Sequence, residues 1–217
     1  MDIYLVRHGE SQANAGLTDE LDSHLTEYGR QQAIATGKRF ASSGISRIFV
    51  SPFRRTLETA APICAGTGLK ASLEPGICEY FSARHAEYLT FRGLSPSEIE
   101  AAFPFVEINA CSTCADRWWP HAHEDPQAIY ARAVRVRDAL LSRFAGQDIS
   151  ILIVSHAETV GRLTEAFQRI APADYPPWSD NCAVTLLRTE GGGSEPATLI
   201  YQNDTSHLSS LPAHATR

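Results

Sequence analysis

No stretch of the 217 residues is apolar for long enough to cross a bilayer, so no membrane partner is expected. No basic segment followed by an apolar one opens the chain, and no export signal is expected. Positive charge is not in excess: 19 Lys and Arg against 25 Asp and Glu leave a net charge of −6. Nucleic-acid binders are usually basic, so that partner class is excluded. An acidic chain still binds an anion where its few cations converge on one pocket. The five cysteines are odd in number and scattered. They do not make the framework of a disulfide-stapled secreted domain and read as reduced thiols of a cytoplasmic protein. No internal repeat is visible.

What is present is the makeup of a globular domain, 43% apolar and 20% charged. At this length one domain spanning residues 1–217 is the default. Residues 2–7 read as a short buried strand and residues 12–25 as a polar loop. Thr26 is a good N-cap for a helix carrying Ala33, Gly37, Phe40 and Ala41 at helical spacing, stopped near Gly44. Arg47–Ser51 reads as a second strand. The helix after it is expected to kink or end at Pro62. Leu69–Leu73 is a short third strand. Residues 74–125 are the least regular part and read as an insertion over the sheet's carboxyl edge. Inside it, Ser95, Pro96 and Glu98 form a capping box.

Asp125-Pro126 opens a long amphipathic helix with Ile129, Ala133, Val136 and Leu140 on one face. Ile149–Ser155 is the most apolar strand and is placed at the sheet's centre. Val160, Leu163, Phe167 and Ile170 mark the next helix. Cys182–Arg188 and Ala197–Tyr201 make a closing hairpin with an antiparallel edge, and the polar tail from Asn203 reads as disordered. Alternating strands and helices give an α/β three-layer sandwich around a mostly parallel sheet.

Three strands run into chemistry. The first ends in Arg7-His8-Gly9-Glu10-Ser11, the second in Ser51-Pro52-Phe53-Arg54-Arg55-Thr56, the central one in Ser155-His156. Ligands of open α/β sheets bind at the carboxyl ends of strands. Arg-His-Gly alone reads equally well as a strand entering a polar loop. The repetition is what places Arg7, His8, Arg54 and His156 at ends that one sheet could gather.

These pieces resemble the histidine phosphatase superfamily, which includes cofactor-dependent phosphoglycerate mutase. The resemblance rests on Arg7-His8-Gly9-Glu10-Ser11 with Asn14, Leu25-Thr26-Glu27-Tyr28-Gly29 with Gln32-Ala33, Ser51-Pro52-x-Arg54-Arg55-Thr56-x-x-Thr59-Ala60, and Val154-Ser155-His156. It implies a phosphoglycerate mutase-like fold and a phosphohistidine intermediate, without a cofactor or metal. Arginine offers a planar fork matching two phosphate oxygens, the role expected of Arg7 and Arg54. His156 and Asn14 would add donors. Neutral imidazole is a competent nucleophile, the role expected of His8. A carboxylic acid must protonate the leaving group. Glu79, Glu87, Glu98, Glu100 and Glu107 are candidates by residue type. The segment Glu74-Pro75-Gly76-Ile77-Cys78-Glu79-Tyr80 is similar to the acid-bearing segment of the phosphatase branch, which selects Glu79.

The expected substrate is a phosphorylated small molecule or phosphopeptide. The rival readings are a phosphoglycerate mutase and a catalytically silent phospho-ligand binding module. The mutase branch carries an Arg-His-Tyr-Gly-type stretch after its acid, which residues 79–93 lack. Two features stand apart. Cys111, Cys114, His121 and His123 have zinc-ligand chemistry, but their spacing fits no usual ribbon or finger. Trp118 and Trp119 could wall the pocket or pack the insertion onto the sheet. Histidines 24, 85, 207 and 214 read as surface or loop residues.

Overall fold

The computed structural model describes residues 1–80, 90–108, 118, 123–190 and 195–212. Its frame is one sheet of β1 (Asp2–Arg7), β2 (Arg47–Val50), β3 (Ala71–Leu73), β4 (Val106–Glu107), β5 (Ser150–Ser155), β6 (Val184–Arg188) and β7 (Thr198–Asp204). The spatial order is β4-β3-β2-β5-β1-β6-β7, so β5 is the middle strand, as its apolar run predicts. β1 to β5 run parallel to their neighbours, and β6 and β7 add antiparallel partners.

The strand period of two divides the core into two layers. Val6, Ile48, Val50, Leu152 and Val154 face α1 (Glu27–Phe40) and α2 (Arg54–Thr67), meeting Phe40, Leu57 and Ile63. Ile3, Leu5, Phe49, Ile151 and Ile153 face α4 (Pro126–Arg143) and α5 (Ala157–Phe167), meeting Val136, Leu140, Leu163 and Phe167. The short α3 (Pro96–Ala102) opens with the capping box read from sequence: Ser95 accepts from the Glu98 amide and Glu98 accepts from the Ser95 amide.

α1 starts where expected, with the Thr26 side chain accepting from the Gly29 amide. Gly29 has a second reason to be glycine. A Cβ there would lie 2.0 Å from the Glu10 carbonyl oxygen, and one on Gly9 would lie 2.6 Å from the Gly29 carbonyl oxygen. The loop after β1 is pressed onto α1, backbone to backbone.

Four expectations need correction. α2 does not end at Pro62 but continues to Thr67. An interior proline costs about 3 kcal/mol, which burial of large apolar side chains at about 1.5–3 kcal/mol each offsets. Ile63 and Cys64, beyond the proline, are buried in the core. Ile170 is not on the helix face: α5 stops at Phe167 and Ile170 is exposed. The span 74–125 does not only lie over the sheet, because β4 within it pairs with β3. The polar tail is ordered into the fold through residue 208. β7 extends to Asp204, which pairs with Arg39 at 2.7 Å, and a 3-10 turn at Ser206–Leu208 puts His207 Nε2 3.1 Å from Thr36 Oγ1 on α1. No helix among the described residues is long and apolar enough to cross a membrane.

Candidate active site

β5 sets the height of the site. It pairs Ser155 with Arg7 on one side and Val154 with Val50 on the other, so three strands end level. The residues that follow are His8, Ser51 and His156. The amide of His8 still donates to Ser155 (2.9 Å) and that of Ser51 to Val154 (3.1 Å). Segments distant in the chain are thereby fixed by main-chain bonds before any side chain acts.

His8 is buried. Its Nδ1 lies 2.7 Å from the Gly9 carbonyl oxygen, which can only accept, so Nδ1 carries the hydrogen and Nε2 keeps its lone pair. Arg55 Nε donates to that Nε2 over 3.2 Å. Burial, then the charges of Arg55 and Arg7, push the imidazole well below its usual 6.5 and keep it neutral.

The structure assigns the second arginine differently from the sequence reading. Arg54 does not enter the cluster. Its amide donates to Asp22 Oδ1 at 2.7 Å, its Nε lies 3.8 Å from Asp22 Oδ2, and its side chain is 34% exposed. Arg55 is 9% exposed, donates to the Leu21 carbonyl at 2.8 Å, and lies over the Phe53 ring at 4.5 Å. Adjacent helical residues point about 100° apart, so only one of the pair can face the strand ends. The signal was available in Thr59. It shares a face with Arg55 at i, i+4, and its Oγ1 accepts from the Gly9 amide at 3.0 Å.

Arg7 is buried, donates from Nη1 to the Ser179 carbonyl at 2.8 Å, and has its Cζ 5.2 Å from the centre of the Trp178 ring. His156 packs edge-on to His8 with ring centres 5.3 Å apart, its Nε2 2.8 Å from Ser51 Oγ. Burial first, then Arg55, holds its pKa well below the usual value. Two buried polar atoms here have no protein partner: Arg7 Nε and His156 Nδ1. Unsatisfied buried donors are costly. A tetrahedral anion in front of His8 would satisfy both.

Glu79 keeps part of its surface open, but its carboxyl is sunk enough for burial to raise its pKa above 4.5, against the Tyr80 amide, Arg55 and Arg7, which lower it. The Tyr80 amide donates to its Oε1 at 2.9 Å. Its segment is clamped from below. Ser155 Oγ donates to the Ile77 carbonyl at 2.7 Å and Thr159 Oγ1 to the Cys78 carbonyl at 2.7 Å. Arg132 donates to the carbonyls of Gly76 (2.9 Å), Cys78 (2.8 Å) and Glu79 (3.3 Å) while its other donors grip Glu124 at 2.7 Å twice. Nothing in the helical pattern singles out Arg132 or Glu124. Arg137 is buried on the same helix, so burial of an arginine alone would not have marked Arg132 either.

Asn14 lies exposed at the rim. Its Oδ1 accepts from Asn181 Nδ2 at 3.2 Å, and the same Asn181 amide nitrogen lies 3.0 Å from the His8 carbonyl oxygen. Trp118 is buried in the core and donates to the Leu94 carbonyl, so it packs the insertion instead of walling the pocket. Trp119, Cys111, Cys114, His121, His85 and His214 lie outside the described residues. Among the described residues no cluster of His, Cys, Asp or Glu is gathered to hold a metal.

The chain is similar to known proteins in sequence and in fold. Over 181 residues the chain is 25% identical to a glucosyl-3-phosphoglycerate phosphatase of Mycolicibacterium vanbaalenii, covering 80% of this chain and 77% of that protein. It is 41% identical to a probable phosphoglycerate mutase, GpmB, of Cronobacter sakazakii, but over only 81 residues, 36% of this chain and 38% of the relative. Among solved structures, the complex of a mycobacterial glucosyl-3-phosphoglycerate phosphatase with VO3 superposes with a TM-score of 0.69 at 22% identity, covering 94% of this chain and 99% of that one. Residues 3–202 match the model of the histidine phosphatase superfamily (branch 1), and the chain belongs to that family of phosphatases.

Proposed function

We propose that this chain hydrolyses phosphate monoesters through a phosphohistidine on His8. The observation that carries the reading is the orientation of one ring: Gly9 holds the hydrogen on Nδ1, and the free lone pair of Nε2 sits beside a guanidinium. In the first step Nε2 attacks phosphorus and the ester P–O bond breaks. The leaving oxygen takes the proton of Glu79. In the second step water attacks phosphorus and the P–N bond breaks. Glu79, now a carboxylate, takes the proton from that water, and phosphate leaves. Arg7 and Arg55 neutralise the charge that develops on the transferred group, the work a metal ion does elsewhere, and the neutral His156 adds a hydrogen bond.

The substrate is a phosphorylated small molecule, and the glucosyl-3-phosphoglycerate phosphatase relatives put phosphorylated sugar acids on the panel beside phosphopeptides. The local match to GpmB favours a second reading, in which an alcohol instead of water receives the phosphoryl group. The silent binding module is disfavoured because His8, Arg55 and His156 converge and the charges of Arg55 and Arg7 act on Glu79. Cys64, Cys78 and Cys182 are free and buried, which suits a reducing cytoplasm. Residues 1–217 are read as one domain, with an insertion at about 74–125 over the active site.

Rapid quenching with a labelled monoester should trap an acid-labile phosphoenzyme that His8→Ala abolishes together with turnover. Normal turnover by His8→Ala would refute the reading. Interconversion of phosphoglycerates dependent on a bisphosphate primer would replace it with the mutase.

A further inference from the structure

Trp118 packs the insertion, and a different tryptophan stands beside Arg7. Trp178 is 65% exposed, an unusual setting for so large an apolar side chain. One face of its indole rests on the Arg7 guanidinium at 5.2 Å. The ring therefore begins where the cradle for the phosphoryl group ends.

The segment that carries this ring is tied down at every turn. Trp178 Nε1 donates to Asp180 Oδ1 at 2.9 Å. Asp180 is in turn clamped by Asn203, whose Oδ1 accepts from the Asp180 amide at 2.7 Å and whose Nδ2 donates to Asp180 Oδ2 at 2.9 Å. Arg7 holds the Ser179 carbonyl. Upstream, the Ala173 amide donates to Glu165 Oε1 at 2.9 Å, and Glu165 is paired with the buried Arg162 at 2.9 Å. Between these anchors the chain lies on α5 at Gly161, where a Cβ would come within 2.7 Å of both Pro176 Cβ and the Pro177 carbonyl oxygen. A surface ring kept for solubility or chance would not need such fixing. A ring that must meet a ligand gains from it, because the ordering cost is met before binding.

We propose that Trp178 is the leaving-group subsite and that it selects monoesters whose alcohol carries a ring over open-chain ones. The inference rests on the phosphohistidine reading above. With phosphorus in front of His8 and its oxygens on Arg7, the ester oxygen projects toward the mouth. A ring attached there stacks on the outer part of the indole, aromatic ring on aromatic ring or the apolar face of a sugar on the π system. An open chain gains little from a flat partner.

The test compares the wild type with Trp178→Ala and Trp178→Phe on benzyl phosphate, glucose 6-phosphate and butyl phosphate, whose leaving groups are all alkoxides. Trp178→Ala should lower kcat/KM about five- to tenfold on a ring substrate, mainly through KM, and change butyl phosphate less than about twofold. Trp178→Phe should recover most of the loss. A loss on benzyl phosphate alone assigns the subsite to aromatic alcohols, and a loss on both ring substrates assigns it to rings in general. Inhibition by vanadate should be unchanged, since that anion meets Arg7 and not the outer indole. An equal fall on all three substrates with weakened vanadate binding would overturn the proposal, making Trp178 a support for Arg7. Unchanged kinetics on the ring substrates would overturn it too. If the wild type forms no phosphoenzyme and turns over none of the three, the parent reading fails and this one with it. A trapped phosphoenzyme without ring preference defeats this inference alone.

Discussion

Arg55 and His8 meet nitrogen to nitrogen, the guanidinium Nε donating over 3.2 Å to the imidazole atom that would attack phosphorus. A phosphorus attacked by that atom would bring its oxygens up against the same guanidinium. Lysine keeps the charge but loses the planar pair of donors. Arg55→Lys is expected to lower kcat/KM on the order of 10²–10³-fold, the usual cost of a donor aimed at developing charge. Arg54→Lys should stay within a few-fold, because Arg54 is spent on Asp22. Steady-state kinetics of both variants decide between the neighbours.

Glu79 should act as proton donor over an extended pH range. Burial raises its pKa, so the acid form persists above 4.5. His8 is displaced the other way, so the nucleophile remains neutral below 6.5. The kcat/KM profile on an alkyl monoester should therefore fall on the alkaline side as Glu79 ionises, with its acid limb lying below the usual histidine range. Glu79→Gln should cost about 10²–10⁴-fold on alkyl esters and far less on activated aryl phosphates, which leave without protonation. Equal losses on both would mean another carboxylate acts.

Arg132 and Glu124 form a buried pair whose arginine also holds the backbone of the Glu79 segment. Arg132→Met strands the Glu124 carboxylate and should destabilise the fold by about 3–5 kcal/mol. Adding Glu124→Leu should restore much of the melting temperature. It should not restore hydrolysis of alkyl esters, since the clamp on the Gly76 and Cys78 carbonyls is still gone. Thermal melts together with the alkyl-to-aryl rate ratio separate the two effects.

Asp22 sits under Leu21 and Arg54 with its pKa pushed up to about 6, chiefly by burial. Its unfolded value is 3.8, so the folded state holds the proton more tightly. The stability this contributes is complete below 3.8 and is lost as pH rises through about 6. Asp22→Asn keeps an acceptor for the Arg54 amide and removes the ionisation. The variant should melt higher than the wild type near about pH 8, with the gap closing toward about pH 4. An unchanged pH dependence of melting would place the ionisation elsewhere.

Much of this was legible because the governing physics is local. A strand's apolar run, a Thr26 cap and a Ser95–Glu98 box act within a few residues, and each forms where the pattern puts it. The choice between Arg54 and Arg55 turned on helix phase, which a motif written as a string does not display. Pro62 does not end its helix because its local cost is outweighed by tertiary packing of Ile63 and Cys64. Trp118 could have walled the pocket or packed the insertion, and its bond to the Leu94 carbonyl in the core decides for packing; nothing in the sequence pattern marks the exposed Trp178. Asn181 and Arg132 owe their importance to partners more than 50 residues away, His8 and Cys78. Such partnerships exist only after the sheet has closed.

The middle position of β5 has a consequence for how this molecule comes into being. β1 and β2 do not touch in the sheet; each is paired to β5, which comes much later in the chain, at Ser150–Ser155. On the ribosome β1, and the edge of β2 turned away from β3, must wait unpaired until Ser150–Ser155 has been made. Arg7, Arg55 and His156 cannot converge before that moment. No shorter nascent chain can handle phosphate, and the waiting edges are where a chaperone would be needed most. The enzyme's birth as a catalyst is thus a single late event, set by the arrival of one strand.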